Sequence, residues 1–183
     1  MDRYALGDDG AFAELYDLIA PKLLAFLTRQ TGQRARAEDL VQQTFLQMHC
    51  ARETYVTGAD VLPWAFAIAR RLAIDSYRKN RREVQGDGLH EVADLAEGLA
   101  PDDVLRTKQA AHAIQETMEA LPESQRVAFE LIKYDGLSVA QAAETLGTTV
   151  TAVKLRAHRC YEALRGALRD DVAPNVIEKS FRR

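Results

Sequence analysis

Twenty-three consecutive residues, Glu83 to Leu105, contain no Lys or Arg, and this gap limits the possible folds more than any other feature. It holds Glu83, Asp87, Glu91, Asp94, Glu97, Asp102 and Asp103, interspersed with Gly86, Gly88, Gly98 and Pro101. Such a composition reads as a flexible acidic linker, with room for a transient turn at Val92 to Leu95. It divides the 183-residue chain into segments 1–82 and 106–169, each sized for one small domain, with residues 170–183 as a tail. It also explains a net charge of −3. The acids are concentrated in the linker, and the flanking segments are neutral to basic.

Both flanks carry apolar side chains at helical period, and strand-like alternation is absent, so the predicted class is all-α. Phe12, Leu15, Tyr16, Ile19, Leu23, Phe26 and Leu27 form the first stripe; Asp8 or Asp9 is placed to cap it, and Pro21 predicts a kink or two abutting helices. After a turn at Thr31-Gly32-Gln33, a second helix is expected from Ala37, with Leu40, Val41, Thr44, Phe45 and Met48 inward. A loop at Thr57 to Asp60 leads to a third helix, about Val61 to Arg82, with Asp60 as cap and Pro63 in its first turn. Its inward set is Leu62, Phe66, Ile68, Ala69, Leu72, Ala73 and Tyr77.

The later turns of that third helix carry Arg70, Arg71, Arg78, Lys79, Arg81 and Arg82 against one acid, Asp75. Cations near a helix C-terminus are locally favourable. Six in thirteen residues, with Trp64 and Tyr77 on the same element, exceed what capping needs and point to a nucleic-acid surface. Trp64 serves equally well as core or as a stacking platform.

In the second segment, Leu105, Ala110, Ala113, Ile114, Met118 and Leu121 precede Pro122, and a helix through Val127, Phe129, Leu131 and Ile132 ends near Gly136. Gly136 to Arg169 then reads as a helix-turn-helix. Ser138 can cap a short helix with Val139, Ala142, Ala143 and Leu146 on one face; Gly147 suits a left-handed helix end; Thr148 or Thr149 can cap a longer second helix. On that helix Val150, Val153, Ala157, Cys160, Tyr161 and Leu164 are expected inward, leaving Thr151, Lys154, Arg156 and Arg159 outside. This is the geometry of a major-groove reader, although any Gly-linked helical hairpin with a solvated basic face shares the pattern.

The remaining chemistry narrows the classes. Cys50 and Cys160 form no Cys-x-x-Cys pair, which gives no support to a zinc site or disulfide framework; Cys160 reads as a buried small hydrophobe. His49, His90, His112 and His158 are scattered, and no Gly-rich phosphate loop follows a strand, so no enzyme, metal or cofactor is expected. No apolar run approaches the ~20 residues that span a bilayer, and the N-terminus lacks signal-peptide pattern. A cytoplasmic protein without membrane insertion is expected.

Three segments together resemble the extracytoplasmic-function (ECF) group of sigma factors of bacterial RNA polymerase. Glu38-Asp39-Leu40-Val41-Gln42-Gln43-Thr44-Phe45 is similar to the family's D-L-V-Q-E-x-F helix, and Trp64 to Arg78 to its W-L-x-x-I-A-R-N-x-x-x-D-x-x-R helix. Leu121-Pro122 through Arg126, Gly136-Leu137-Ser138, and Val153 to Arg159 are similar to L-P-x-x-x-R, G-x-S and V-K-S-R-x-x-R. The resemblance covers about Asp9 to Leu168 and implies a sigma-2-like domain, an acidic linker near the RNA exit path, and a sigma-4-like domain.

In that family's terms Asp39, Gln42, Gln43 and Phe45 would meet the β′ clamp helices of core RNA polymerase, and the second domain would sit by the β flap. The loop Ala51 to Asp60 would receive a base flipped from the −10 element, with Tyr55 and Trp64 as aromatic candidates worth ~1–3 kcal/mol per stacked base. Arg70, Arg71, Arg78, Lys79 and Arg82 would hold phosphates of the opened strand. Lys154 and Arg156 would read −35 base edges, and Thr151 and Arg159 would contact phosphate. An anti-sigma factor is an expected partner. Departures are Gln43 for Glu, Arg71 for Asn, and Leu155 for Ser, where Leu155 could meet a thymine methyl. The competing reading is a helix-turn-helix regulator that binds duplex DNA as a dimer without polymerase.

Overall fold

The computed structural model describes residues 1–83 and 101–171, with side chains described for 1–79 and 108–168. Every regular element among them is helical: α1 (Asp2–Ala5), α2 (Gly10–Thr31), α3 (Arg34–Cys50), a 3-10 turn (Arg52–Thr54), α4 (Val61–Glu83), α5 (Pro101–Ala120), α6 (Glu123–Lys133), α7 (Val139–Thr145) and α8 (Val150–Asp171). The all-α expectation holds. Most of the acidic segment (84–100) and of the tail (172–183) lies outside the described residues, as do the side chains of Arg81 and Arg82.

In the first half α2, α3 and α4 pack around Leu15, Ile19, Leu23, Phe26, Leu40, Val41, Met48 and Phe66, all buried. The rings of Phe26 and Phe66 meet edge-on at 5.2 Å, and the one buried hydroxyl on α3, Thr44, donates to the Leu40 carbonyl at 2.7 Å. Pro21 does not divide α2, which is assigned as one helix from Gly10 to Thr31. The ring sits on the exposed side, and its main backbone cost is the bond its missing N–H would have given the Asp17 carbonyl. Gly32, at φ +68°, ends the helix in the left-handed region. Asp60 caps α4 as expected, accepting the Leu62 N–H at 3.0 Å.

Three local features escaped the sequence reading. α3 begins at Arg34, three residues before Ala37. The short α1 lays Tyr4 against Phe12, with ring centroids 5.3 Å apart, and the turn Arg52–Thr54 follows α3. At the start of α2, Asp9 makes no capping bond. Asp8 instead pairs with Arg3 at 2.8 Å. That hydrogen bond, with help from the Gly10 and Ala11 N–H groups, holds its carboxyl below the usual range.

The second half packs α5, α6 and α8 around Phe129, Cys160 and Leu164, with Ile114, Met118, Leu121 and Tyr161 at the margin. Burial pushes the Cys160 thiol up to about 11, so it stays a protonated apolar group. The two halves are also in contact. α7 packs on α4, and one buried apolar cluster runs from α2, α3 and α4 through Val127, Leu131, Leu137, Ala142 and Val153.

Three residues assigned to the core side are exposed. Tyr16, at 39% exposure, lies at the rim of the first half, with its ring 4.7 Å from that of Phe45. Tyr77, at 65% exposure, lies three turns beyond Phe66 on the same line of α4, where the helix has outrun the helices that cover its earlier turns. Val150, at 42%, sits in the first turn of α8, ahead of the stretch that α6 and α5 cover.

Candidate nucleic-acid interface

The helix-turn-helix is built as its sequence dictates. The Ser138 hydroxyl accepts the Gln141 N–H at 3.2 Å, while the Gln141 side chain accepts the Ser138 N–H at 2.6 Å, completing a reciprocal cap on α7. Gly147 takes φ +59°, and the Thr148 N–H returns to the Ala143 carbonyl at 3.0 Å. Of the two threonines open as caps for α8, Thr149 takes the role, accepting the Ala152 N–H at 3.1 Å. Val153, Cys160 and Leu164 anchor α8 inward.

That anchoring fixes what α8 shows to the outside. At ~100° per residue, Thr151, Leu155 and His158 form the centre of the outward stripe, flanked by Lys154 and Arg159; all five are exposed. Arg156 is half-buried on the shoulder of the helix. Lys154, Arg156 and Arg159 have no ion-pair partner among the described residues. His158 was not singled out from sequence. Its register with Thr151 and Leu155, at i+7 and i+3, was the available signal.

The basic helix α4 exposes Arg71, Arg78 and Lys79, and Arg78 has only a loose contact with Asp75 at 4.0 Å. Arg70 differs from them. It is half-buried and faces Glu123 of α6 at 3.4 Å. Exposed Tyr77 adds an aromatic face among these cations, as its place on the basic helix suggested, although its period had also put it among the inward residues.

At the other end of α4 the two aromatic candidates lie together: the Tyr55 and Trp64 rings are 5.3 Å apart at 48°. Trp64 is half-buried, with one side against the core and the other toward Tyr55. The loop between them is braced at several points. The Tyr55 hydroxyl donates to the Ala59 carbonyl, the Gly58 N–H donates to Asp2 of α1 at 3.1 Å, and Asp60 caps α4. Burial first, then Asp2 and Asp60, raises the Tyr55 pKa and keeps its hydroxyl a donor.

On α3, Asp39, Gln42 and Gln43 are exposed together. Phe45 is not on that surface. It is 4% exposed, with its ring 4.7 Å from Tyr16 and 5.9 Å from Phe12, because the helical period that turns Gln42 and Gln43 outward turns Phe45 in. It floors an open groove of about 620 Å³, which Gln42, Leu46 and His49 border on the α3 side. Leu46, 62% exposed, is the apolar residue that this face does present, and sequence reasoning passed it over. Among the described residues no cluster of His, Cys, Asp or Glu could hold a metal, and no helix is long and apolar enough to cross a membrane.

Known proteins share this arrangement. The family model "Sigma-70 region 2" matches residues 15–83, and "Sigma-70, region 4" matches residues 111–164. The chain is 32% identical over 172 residues to the ECF RNA polymerase sigma factor SigW of Bacillus subtilis, covering 90% of this chain and 92% of SigW. It is 33% identical over 168 residues to the RNA polymerase sigma factor CarQ of Myxococcus xanthus, covering 92% and 95% of the two chains. Among solved structures it is similar to the sigma factor RpoE of Bartonella quintana, crystallised in complex with the anti-sigma factor NepR. There the TM-score is 0.69 at 28% identity, over 88% of this chain and 98% of that one. The chain belongs to the ECF family of RNA polymerase sigma factors.

Proposed function

We propose that this chain delivers core RNA polymerase to promoters by a two-point grip, with segment 106–169 on the −35 element and segment 1–82 on the −10 element. The observation that carries this reading is the presence, on one chain, of a correctly capped helix-turn-helix with an unpaired basic outer face and a basic helix that begins at a braced aromatic loop. On α8 the outward stripe suits major-groove contact. Lys154 and Leu155 take base edges; Thr151 and Arg159 take phosphate; Arg156, on the shoulder, takes phosphate rather than the base edge its sequence position suggested. Tyr55 and Trp64 receive the unstacked −10 base, and Arg70, Arg71, Arg78, Lys79 and Arg82 hold the displaced strand, with Tyr77 added as a second platform.

Asp39, Gln42 and Gln43, with Leu46 in place of Phe45, form the face for the β′ clamp helices, and the helix-turn-helix half docks on the β flap. The polymerase supplies the nucleotide chemistry, so this chain has no catalytic or cofactor-dependent role, and it works in the cytoplasm where promoter and polymerase meet. An anti-sigma factor is a further partner, as for the Bartonella protein. The test is reconstitution with core polymerase and run-off transcription from a promoter library. Promoter-specific transcripts that require both components support the reading. A protein that shifts duplex DNA alone as a dimer, and yields no transcript with core polymerase, is instead the helix-turn-helix regulator.

A further inference from the structure

The shortest α-helix among the described residues, α1, is tied to four other elements. It is four residues long, and a single turn has no stability of its own in water, so its neighbours must hold it in place. Tyr4, 3% exposed, lays its ring on Phe12 of α2, and its hydroxyl shares a hydrogen bond with Nδ1 of His49 in the last turn of α3. Arg52, in the 3-10 turn, lies 3.1 Å from both ring nitrogens of His49 and 5.9 Å from the centre of the Tyr4 ring. Arg3 pins the helix to α2 through Asp8 at 2.8 Å and Glu14 at 2.9 Å.

The fourth tie leads to the loop after that turn, where Asp2 Oδ1 accepts the Gly58 N–H at 3.1 Å. Val56 to Asp60 are all exposed, so this stretch has no apolar anchor of its own and its shape depends on hydrogen bonds. The Tyr55 hydroxyl on the Ala59 carbonyl, and the Ala59 N–H on the Val56 carbonyl at 3.0 Å, close the loop on itself. Those bonds set its curvature but join it to nothing else. Its ends are held by the 3-10 turn and by the Asp60 cap on α4. Between them Gly58, at φ +81°, is tied to Asp2 alone among the described residues.

A site discriminates between ligands only as well as its walls are held in place. We propose that α1 is a brace that sets the position of the loop from Tyr55 to Asp60, with Asp2 and Tyr4 as its positioning residues. Asp2 holds the loop tip. Tyr4, fixed by Phe12, His49 and Arg52, holds Asp2 two residues away. His49 belongs to α3, whose outer side carries Gln42 and Leu46, so the brace keeps the loop at a set distance from the proposed polymerase face. Neither positioning residue touches DNA in this role; they act through Gly58 and the turn. The effect on base choice rests on the −10 reading above, whereas the effect on the loop of the unbound chain does not.

Trp64 is the only tryptophan in the chain and lies against Tyr55, so its fluorescence reports the loop without any DNA. In the full chain, Asp2→Ala is expected to shift the Trp64 emission to the red and to ease its quenching by acrylamide, with helicity kept. Asp2→Asn leaves a carbonyl oxygen for Gly58 and should restore the parent signal. Tyr4→Phe, which keeps the ring and removes only the bond to His49, should shift the signal the same way by less. With core polymerase and a randomised −10 library, preference for the favoured base at the unstacked position should fall about fivefold in Asp2→Ala, part of what one base contact carries. It should recover in Asp2→Asn, and dependence on the −35 element should not change. An unaltered Trp64 signal in folded Asp2→Ala, or no recovery in Asp2→Asn, overturns the brace. A changed signal with unchanged base preference overturns its link to base choice. If the parent itself has no −10 preference, the −10 reading falls, and the brace is still judged by the Trp64 signal of the unbound chain.

Discussion

Leu155 is the residue whose exposure is hardest to account for by folding. It is 49% exposed at the centre of the α8 stripe, on the face opposite Val153 and Cys160. Folding gains little from it there, whereas a thymine methyl in the major groove would cover it. Leu155→Ala should relax base preference at one −35 position, with an effect of about 1 kcal/mol, at the low end of the scale for a base contact; selection from a randomised −35 library measures it. Arg156→Ala should act differently, weakening binding to all sequences alike and lowering the salt slope by about 1, because a shoulder residue contacts phosphate. Asp2 is a positioning residue through Gly58. Asp2→Ala should loosen the −10 loop and lower −10 selectivity while leaving thermal stability within about 1 kcal/mol of the parent, since the bond lies at the surface.

At the scale of elements, the helix-turn-helix depends on two backbone devices. Removing the reciprocal cap with Ser138→Ala should cost about 1 kcal/mol. Gly147→Ala should cost about 1–2 kcal/mol although open space surrounds that position, because the penalty comes from φ +59° and not from a clash. Thermal unfolding of both variants checks the two figures. These devices were legible in sequence, since Ser138, Gly147 and Asp60 act through their own chemistry within three residues. So were the helical stripes and the choice of Tyr55 and Trp64 as aromatic candidates, although not the contact between their rings. What sequence misplaced depends on neighbours distant in the chain. Tyr77 continues the periodicity of α4 past the end of its partners. Phe45 is a different case: its period placed it inward, as found, and only the shared motif grouped it with outward Gln42 and Gln43. Likewise, nothing local to Arg29 or Asp135 announces that they meet across 106 residues.

For the whole molecule, a carboxyl buried where the halves meet makes stability depend on pH. Glu130 of α6 is raised to about 7, by burial first; Arg29, Arg126 and Gln30 pull it down and Asp135 pushes it up, while Tyr134 and Cys160 beside it remain protonated. In the unfolded chain its carboxyl returns toward 4.5. Between those values folding takes up a proton, so the folded form is favoured at the acid end and weakens as pH rises to about 7, where the effect levels off. The slope approaches tenfold in the folding equilibrium per pH unit at most. Glu130→Gln should flatten this dependence in thermal unfolding measured across pH. The central claim, however, is that two distant surfaces on one chain grip one promoter. It is tested most directly by run-off transcription with core polymerase from templates in which the −35 and −10 elements are separately scrambled, or set half a helical turn further apart. The account predicts that each change lowers the specific transcript at least about tenfold, the equivalent of ~1.4 kcal/mol. A transcript that survives loss of the −35 element, or is indifferent to spacing, would contradict it.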